Sequence, residues 1–464
     1  MSNFTIGGTL IKDRKMKRQV DMLNGPLLGK ILMFALPIAA SSILQQLFNS
    51  VDVAVVGRFS SPQALAAVGS NGSLINLMIN LFVGISIGAN VVISRFVGKR
   101  DEEGIKRAVS TSIAVSLVSG LFLLLFGLIT ARTILEAMDT PSDVIELSVL
   151  YLRVYFLGMP FVMLFNFTSS IFRSVGDTRR PLYCLAAGGV VNVVVNLILV
   201  VVFHLDVLGV AVGTVVGNAV AAALVLRLLQ KEAEPFWLQW SAVGFSRKEL
   251  AQMLSIGVPA GVQSMVFSFA NVFIQTAING YGALAVAGSA AALNYEHYCY
   301  FVIAAFGSAA TTFTGQNYGA KNGVRCRVVF RHALWMSVVG CGLLNLLFVW
   351  QERWAIGLFS SDAEIFEFAF VRLETVLLWQ WIACSYEIAS ASLRGVGYSL
   401  LPALLTIFGT CVLRLCWVFL YCPSHPGFQT LMVVYPISWI LTGVMVLSAH
   451  YIVFKKKLSW QFAE

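Results

Sequence analysis

Twelve apolar runs, each long enough to cross about 30 Å of hydrocarbon as a helix of about 20 residues, recur along this 464-residue chain. They fall near residues 30–57, 64–94, 108–130, 147–172, 181–203, 207–229, 249–279, 283–313, 328–350, 364–392, 400–421 and 430–454. The runs are continuously apolar, without the two-residue alternation of outer-membrane strands, so they predict helices. Hydrophobic residues make up 58% of the chain and charged residues 12%, with a mean hydropathy of +0.80, outside the range of soluble domains. The expected fold is an all-α polytopic membrane protein of twelve transmembrane helices.

The net charge of +9 has a topological origin. Of the 32 Lys and Arg residues, 26 fall in alternate loops on one side: Lys12 to Lys30, Arg95 to Arg107, Arg173 to Arg180, Arg227 to Lys248, Lys321 to Arg331, Arg394, and Lys455 to Lys457. Arg58, Arg132, Arg353 and Arg372 are assigned to the opposite side, and Arg153 and Arg414 to spans. Positive charge concentrates on cytoplasmic loops, so both termini are expected in the cytoplasm, the chain in the plasma membrane, and nucleic acid is not an expected partner. No small-residue cleavage site follows a short apolar core, which argues against a removable signal peptide. Eight cysteines, mostly inside spans and without a CxxC pair, read as small buried hydrophobes.

The chain repeats itself. ALAAVGSNGS (64–73) returns as ALAVAGSAAA (283–292), SRFVGKRDEEG (94–104) as GQNYGAKNGV (315–324), and IFRSVGDTRRP (171–181) as SLRGVGYSLLP (392–402), with an offset of 219 to 222 residues. Pro37 pairs with Pro259 and Asn49 with Asn271. Each copy holds six spans, an even number, so the copies enter the membrane in the same sense and form a parallel repeat. The expected division is a cytoplasmic segment 1–29, a six-helix lobe 30–229, a cytoplasmic linker 230–248, a second six-helix lobe 249–454 and a cytoplasmic tail 455–464. A substrate path is expected in the cleft between lobes.

Asp52 lies within the first apolar run, where a charge costs roughly 2.5 to 3.5 kcal/mol on insertion scales and is seldom idle. The structural alternative is a carboxylate fixed by hydrogen bonds. An acid withdrawn from water has an electrostatic demand that a proton or a cation can satisfy in turn. Nothing in the chain suggests ATP use or catalysis: GxxxxGK[ST] and HExxH are absent, and no His and Cys cluster at ligand spacing. The expectation is a transporter drawing on an ion gradient, with no cofactor and no enzymatic activity. An enzyme acting on lipid would need acids or histidines clustered at one face, where only scattered Asp139, Asp143, Asp206 and Asp362 occur.

LFNSVDVAVVG in the first span, GANVVISRFVGKRDEEGIKRAV leaving the second, FRSVGDTRRP between the fourth and fifth, and TTFTGQNYGA leaving the eighth resemble the multidrug and toxic compound extrusion (MATE) family over roughly residues 25–455. The resemblance implies an antiporter that admits Na⁺ or H⁺ and expels organic, often cationic, compounds. It also implies a cation site at Asp52, Asn192, Asn196 and Thr214, with Asp52 as the Na⁺ ligand. Asn192 and Asn196, at i and i+4, share a helix face. The second fifth-span position is often Asp in the family and is Asn196 here, which leaves one carboxylate. The seventh-span stretch GVQSMVFSFANVF (261–273) is uncharged, so the pattern is closer to the DinF-like and MepA-like branches than to the NorM-like one. Asn192, Asn196 and Thr214 could equally be interhelical glue.

In the second lobe, Glu296, His297, Glu387 and Arg414 are candidates for substrate binding or gating. Glu387 and Arg414 are expected to neutralise one another as charges inside bundles do, whereas no base lies near Glu296 in its own span except His297. His297 is either a titrating group or a satisfied buried histidine. Tyr295, Tyr298, Tyr300, Trp379 and Trp381 are candidates to line a cavity for flat cations, with interfacial anchoring as the alternative for the tryptophans. Pro37, Pro160, Pro181, Pro259 and Pro402 mark helix bends or starts. A flippase for lipid-linked saccharides is the rival function, and its cavity would need to be strongly cationic. The expected partners are small organic cations and the bilayer, with the chain acting as a monomer.

Overall fold

The computed structural model describes residues 19–138, 140–358 and 362–457. Lys12, Arg14, Lys15, Lys17, Arg18, Asp139 and residues 458–464 lie outside the described residues. Twelve spans cross the molecule. The first six are Leu27–Phe59, Pro62–Lys99, Glu102–Ala137, the pair Ile145–Leu157 and Met159–Ser174, Arg179–Val202, and Asp206–Gln230. The second six are Arg247–Asn279, Ala283–Gly319, Gly323–Trp350, a span running from Ala363 to Gly395, Leu400–Ser424, and Phe428–Met432 with Val434–Lys457.

Among the described residues, nine of these are helices long and apolar enough to cross a membrane by themselves, and the fourth span makes a tenth despite a 45° bend at Gly158. The other two carry polar or broken middles. The eighth holds Asn294, Glu296 and His297 halfway along, and the tenth is cut by a 3₁₀ segment, Leu377–Ile382, between two α-helices. Helices run a turn or so past the apolar runs because side chains cap them. Ser61 accepts from the Ala64 amide at 3.2 Å, Asp101 from Gly104 at 2.8 Å, and Asn322 from Arg325 at 3.0 Å. Pro37 and Pro259 fall inside the first and seventh spans, while Pro160, Pro181 and Pro402 stand in first turns.

Two large apolar clusters form the core, one drawn from residues 55–256, the first lobe together with Met253 and Ile256 of the seventh span, and the other from 274–454. A third cluster joins the lobes: Leu27, Ile31 and Phe34 at the start of the first span pack on Ala309, Phe313, Val329 and Ile388. Phe34 meets Phe313 edge to face at 5.6 Å. The linker after Gln230 is held to the first lobe by Lys106 to Glu234 (3.2 Å) and Ser110 to the Ala242 carbonyl (2.6 Å), and Arg107 pairs with Glu249 at the start of the seventh span (3.0 Å).

Contacts between the lobes gather at the end of the bundle that carries the basic loops. Second and seventh spans touch backbone to backbone from mid-span toward that end: a Cβ added to Gly84 would lie 2.3 Å from Gly261 Cα, one on Gly257 2.4 Å from Ile85 Cα, and one on Gly88 2.2 Å from the Met253 carbonyl oxygen. Only small residues permit that approach. Thr312 Oγ1 donates to Asn90 Oδ1 at 3.0 Å, across 222 residues of sequence. The repeat equivalent of Asn90 is Thr311, 221 residues on: Asn90 Nδ2 donates to the Ser170 carbonyl at 3.1 Å as Thr311 Oγ1 does to the Ala391 carbonyl at 3.1 Å, so the Asn90–Thr312 bond lies beside the pseudo-twofold axis. Beyond them, Arg95 Nη2 donates to the Val396 carbonyl at 2.9 Å and Gln316 Nε2 to the Ser174 carbonyl at 2.7 Å. The end of the second span thus reaches the tenth, and the end of the eighth reaches the fourth. A strap formed by residues 20–25 closes over both lobes: the Val20 amide donates to Gly176 O at 3.2 Å, and Arg325 donates to the carbonyls of Met22, Asn24 and Gly25 at 2.9 to 3.0 Å. In a cysteine-free background, the pair Asn90→Cys and Thr312→Cys should therefore cross-link on oxidation and stop transport until reduced. Failure to cross-link, assayed by gel mobility after protease cleavage in the linker, would contradict this seal.

Candidate cation site and charged core of the second lobe

The first span is seated on the fifth by Phe48, whose ring occupies the place a Cβ on Gly189 would take. Asp52 follows one turn later on the same face, and that roll turns its carboxylate toward the fifth and sixth spans. Those two spans are themselves close-packed. A Cβ on Gly217 would stand 2.7 Å from Asn192 Cβ, and one on Gly213 3.1 Å from Asn196 Cβ, so the glycines bring Thr214 alongside both asparagines. A π-helical segment, Ile198–Val202, begins just past Asn196, the kind of local widening that marks functional sites.

Asp52 is 8% exposed. Its Oδ1 accepts from Asn196 Nδ2 at 2.8 Å, and its Oδ2 from Asn192 Nδ2 at 3.4 Å. Thr214 Oγ1 lies 3.2 Å from Oδ2 and 3.0 Å from the Val210 carbonyl, and its single proton serves one of them at a time. No ion pair reaches this carboxylate among the described residues. The amide oxygens of Asn192 and Asn196 are buried without a hydrogen-bond partner. Buried acceptors are rarely left so. One carboxylate, two orphan amide oxygens and a hydroxyl form an all-oxygen set of the kind a hard cation prefers, and rotation of each amide exchanges its nitrogen for its oxygen beside Asp52. Tyr151 and Tyr155 of the fourth span stand within electrostatic reach of the same carboxylate, a proximity that no spacing in the sequence signals.

The MatE family model matches residues 37–198 and, again, residues 259–420, two copies displaced by 222 residues. The chain belongs to the MATE family. It is 27% identical over 437 residues to the probable multidrug resistance protein YoeA of Bacillus subtilis, covering 92% of this chain and 94% of that one. It is 22% identical over 375 residues to the multidrug export protein MepA of Staphylococcus aureus, covering 81% and 80%. Solved structures share the fold. A MOP superfamily transporter from Pyrococcus furiosus, described as having a binding pocket of reverse polarity, aligns with a TM-score of 0.89 at 22% identity over 95% of this chain and 99% of that one. An outward-facing multidrug resistance MATE transporter aligns at 0.88, again at 22% identity over 95% and 99%. This MATE chain is thus a multi-pass membrane protein of two six-helix lobes in a family of multidrug efflux transporters.

The second lobe of this MATE protein departs from the sequence reading in five places. Glu296 is not without a base. Arg372, which loop sorting had put outside the membrane, is 2% exposed in the tenth span and grips Glu296 with Nε at 2.5 Å and Nη2 at 3.0 Å, while Nη1 donates to Ser289 at 2.5 Å. Glu387 and Arg414 do not pair. Glu387 is half-exposed with Arg394 and Tyr300 as its electrostatic neighbours, whereas Arg414 is bound by Ser438 and Asn271. Tyr295 is core, its hydroxyl donating to the Ala355 carbonyl at 2.7 Å. Trp379 and Trp381, in the 3₁₀ break, line an apolar groove of about 410 Å³ with Val338, Gly342 and Leu346 of the ninth span, whose Leu343, Leu346 and Trp350 are 58% to 79% exposed. That is a bilayer-facing groove rather than an interlobe cavity. His297 and Tyr300 are exposed and Tyr298 is half-buried, so the buried-histidine reading fails. The described cysteines are unpaired, and six are buried.

Arg372→Met should destabilise the fold by about 3–5 kcal/mol because it strands a buried carboxylate, and the double variant Glu296→Met/Arg372→Met should recover most of that loss. A double-mutant cycle of unfolding measures the coupling. Equal damage from the single and double variants would contradict the pair's role.

Proposed function

We propose that this MATE protein is a secondary antiporter that exports organic, often cationic, compounds in exchange for Na⁺ or H⁺ taken at Asp52. The observation that carries the reading is the buried carboxylate held by neutral donors alone, with two unsatisfied amide oxygens beside it. The neutral donors offset part of the cost of keeping this charge at membrane depth, and a proton, a cation or cationic cargo supplies the remainder. Such occupants exclude one another, which is the requirement for exchange.

The excess of basic residues in the loops at the sealed end supports a cytoplasmic side for that end and both termini, with the chain in the plasma membrane. The lobes are locked together there, and Asp52 sits in the half of the first span away from that seal, so the structure corresponds to a state facing out. Transport then follows from rocking of the lobes about the cleft, with occupancy of Asp52 favouring one facing. A ligand shifts such an equilibrium by its differential affinity for the two states. Asn192, Asn196 and Thr214 hold the carboxylate and supply further oxygens to Na⁺. The chain works as a monomer, since each copy carries both lobes and a complete cleft.

In proteoliposomes, Asp52→Asn should abolish gradient-driven efflux of an organic-cation dye while expression and thermal stability stay intact. Undiminished efflux by that variant would refute the assignment. If Na⁺ is the coupling ion, inward Na⁺ at fixed pH accelerates dye release and Asn196→Ala raises the half-saturating Na⁺ concentration about tenfold, the effect of losing roughly 1.4 kcal/mol of ligand interaction. Dependence on pH alone, unmoved by Na⁺, assigns the coupling to protons.

A further inference from the structure

Arg414 is 1% exposed, and no ion pair reaches it among the described residues. Its Nε donates to Ser438 Oγ at 3.1 Å and its Nη1 to Asn271 Oδ1 at 3.3 Å, both neutral groups, while Nη2 is buried with no hydrogen-bond partner. The guanidinium lies over the rings of Tyr435 (4.3 Å) and Phe267 (5.3 Å). Tyr435 is shared with a second buried arginine, Arg372, at 5.5 Å. Glu296, the carboxylate in this group, is already engaged by both arms of Arg372. Among the described residues the core of the second lobe therefore holds two buried guanidinium groups against one carboxylate.

The position is also a repeat position. The displacement of 222 residues between the two family matches puts Arg414 in the second lobe where Asn192 stands in the first. Asn192 ties the fifth span to the first and sixth through Asp52 and Thr214. Arg414 ties the eleventh to the seventh and twelfth through Asn271 and Ser438. Its short α-helical turn, Leu413–Cys416, is flanked on both sides by π-helical segments, Ile407–Val412 and Trp417–Tyr421. A guanidinium left with a free N–H arm, two supporting neutral acceptors and an aromatic wall is a built receptor for a small anion.

We propose that Arg414, with Asn271 and Ser438, forms an anion-binding site in the second lobe that takes a halide or a carboxylate, the latter being the acidic group of a zwitterionic cargo. The two lobes then carry complementary sites at equivalent positions, a cation site at Asp52 and an anion site at Arg414. The cargo arm rests on the export reading above; the anion site itself does not.

The test uses the purified full-length protein in detergent. Its thermal midpoint is followed as sodium chloride or sodium acetate replaces sodium isethionate, whose bulky sulfonate does not fit a packed side-chain site, at constant ionic strength. A saturable upward shift with chloride that vanishes in Arg414→Gln supports the site with an inorganic anion as occupant. A shift with acetate and not chloride, also lost in Arg414→Gln, supports the carboxylate arm, and zwitterionic export should then fall more than cationic export in that variant. Asn271→Asp supplies the missing charge internally. It should raise the midpoint in isethionate and erase the anion response, and this readout stands if Arg414→Gln does not fold. No anion-specific shift in the wild type, or an anion response that survives in Asn271→Asp, overturns the proposal. Neither result depends on transport, so failure here leaves the Asp52 reading standing.

Discussion

A buried carboxylate that meets no ion pair among the described residues, enclosed by amides and a hydroxyl, is the interaction from which the rest of this molecule takes its meaning. Asp52 reaches Asn196 at 2.8 Å and Asn192 and Thr214 at 3.2 to 3.4 Å. It does so because Phe48 keys the first span into Gly189, and Gly213 and Gly217 let the sixth span close on the fifth. Substituting a fixed arginine for the neutral cage would satisfy the charge permanently and leave nothing to exchange. The buried Glu296–Arg372 pair of the other lobe is that alternative realised in the same chain, and it reads as structure for that reason.

The repeat explains how one fold supplies both a site and a hinge. Parallel copies meet about a pseudo-axis that runs beside the Asn90–Thr312 bond, and each lobe caps the other through the repeat equivalents Arg95 and Gln316. Apart from the Arg107–Glu249 ion pair and the cluster around Phe34 and Phe313, the bonds between facing spans are neutral or aimed at backbone carbonyls and set among glycines. Such a contact surface is firm while closed and cheap to open, as a rocking mechanism demands. Duplication has also allowed the equivalent interior positions to diverge in charge, from Asp52 beside Asn192 in the first lobe to Arg414 beside Asn271 in the second.

Much of this was legible in the sequence because the signals are periodic and local. The twelve spans, the parallel repeat and the shared face of Asn192 and Asn196 follow from hydropathy, offset and helical spacing. What escaped depended on contacts between distant segments. Arg372 is 76 residues from Glu296 and lies eight residues into the run 364–392, close enough to its end to be sorted with the loop charges, and no spacing signals its partner in the eighth span. Glu387 and Arg414, both apparently buried and of opposite sign, invite a pairing that the roll of their helices prevents. The aromatic set divides for the same reason. Trp379 and Trp381 lie in a 3₁₀ break that turns them toward the ninth span and the bilayer, whereas Tyr295 is consumed by packing, and side-chain type alone carries neither fact.

The central claim is that occupancy of the Asp52 cage moves the lobes. Distances between spin labels placed on the two lobes at the end away from the basic loops, measured by pulsed electron paramagnetic resonance in lipid nanodiscs, address it directly. Addition of Na⁺ or acidification should redistribute those distances in the wild type and leave them unchanged in Asp52→Asn. A redistribution of equal size in the variant, or none in the wild type under either condition, would contradict the account.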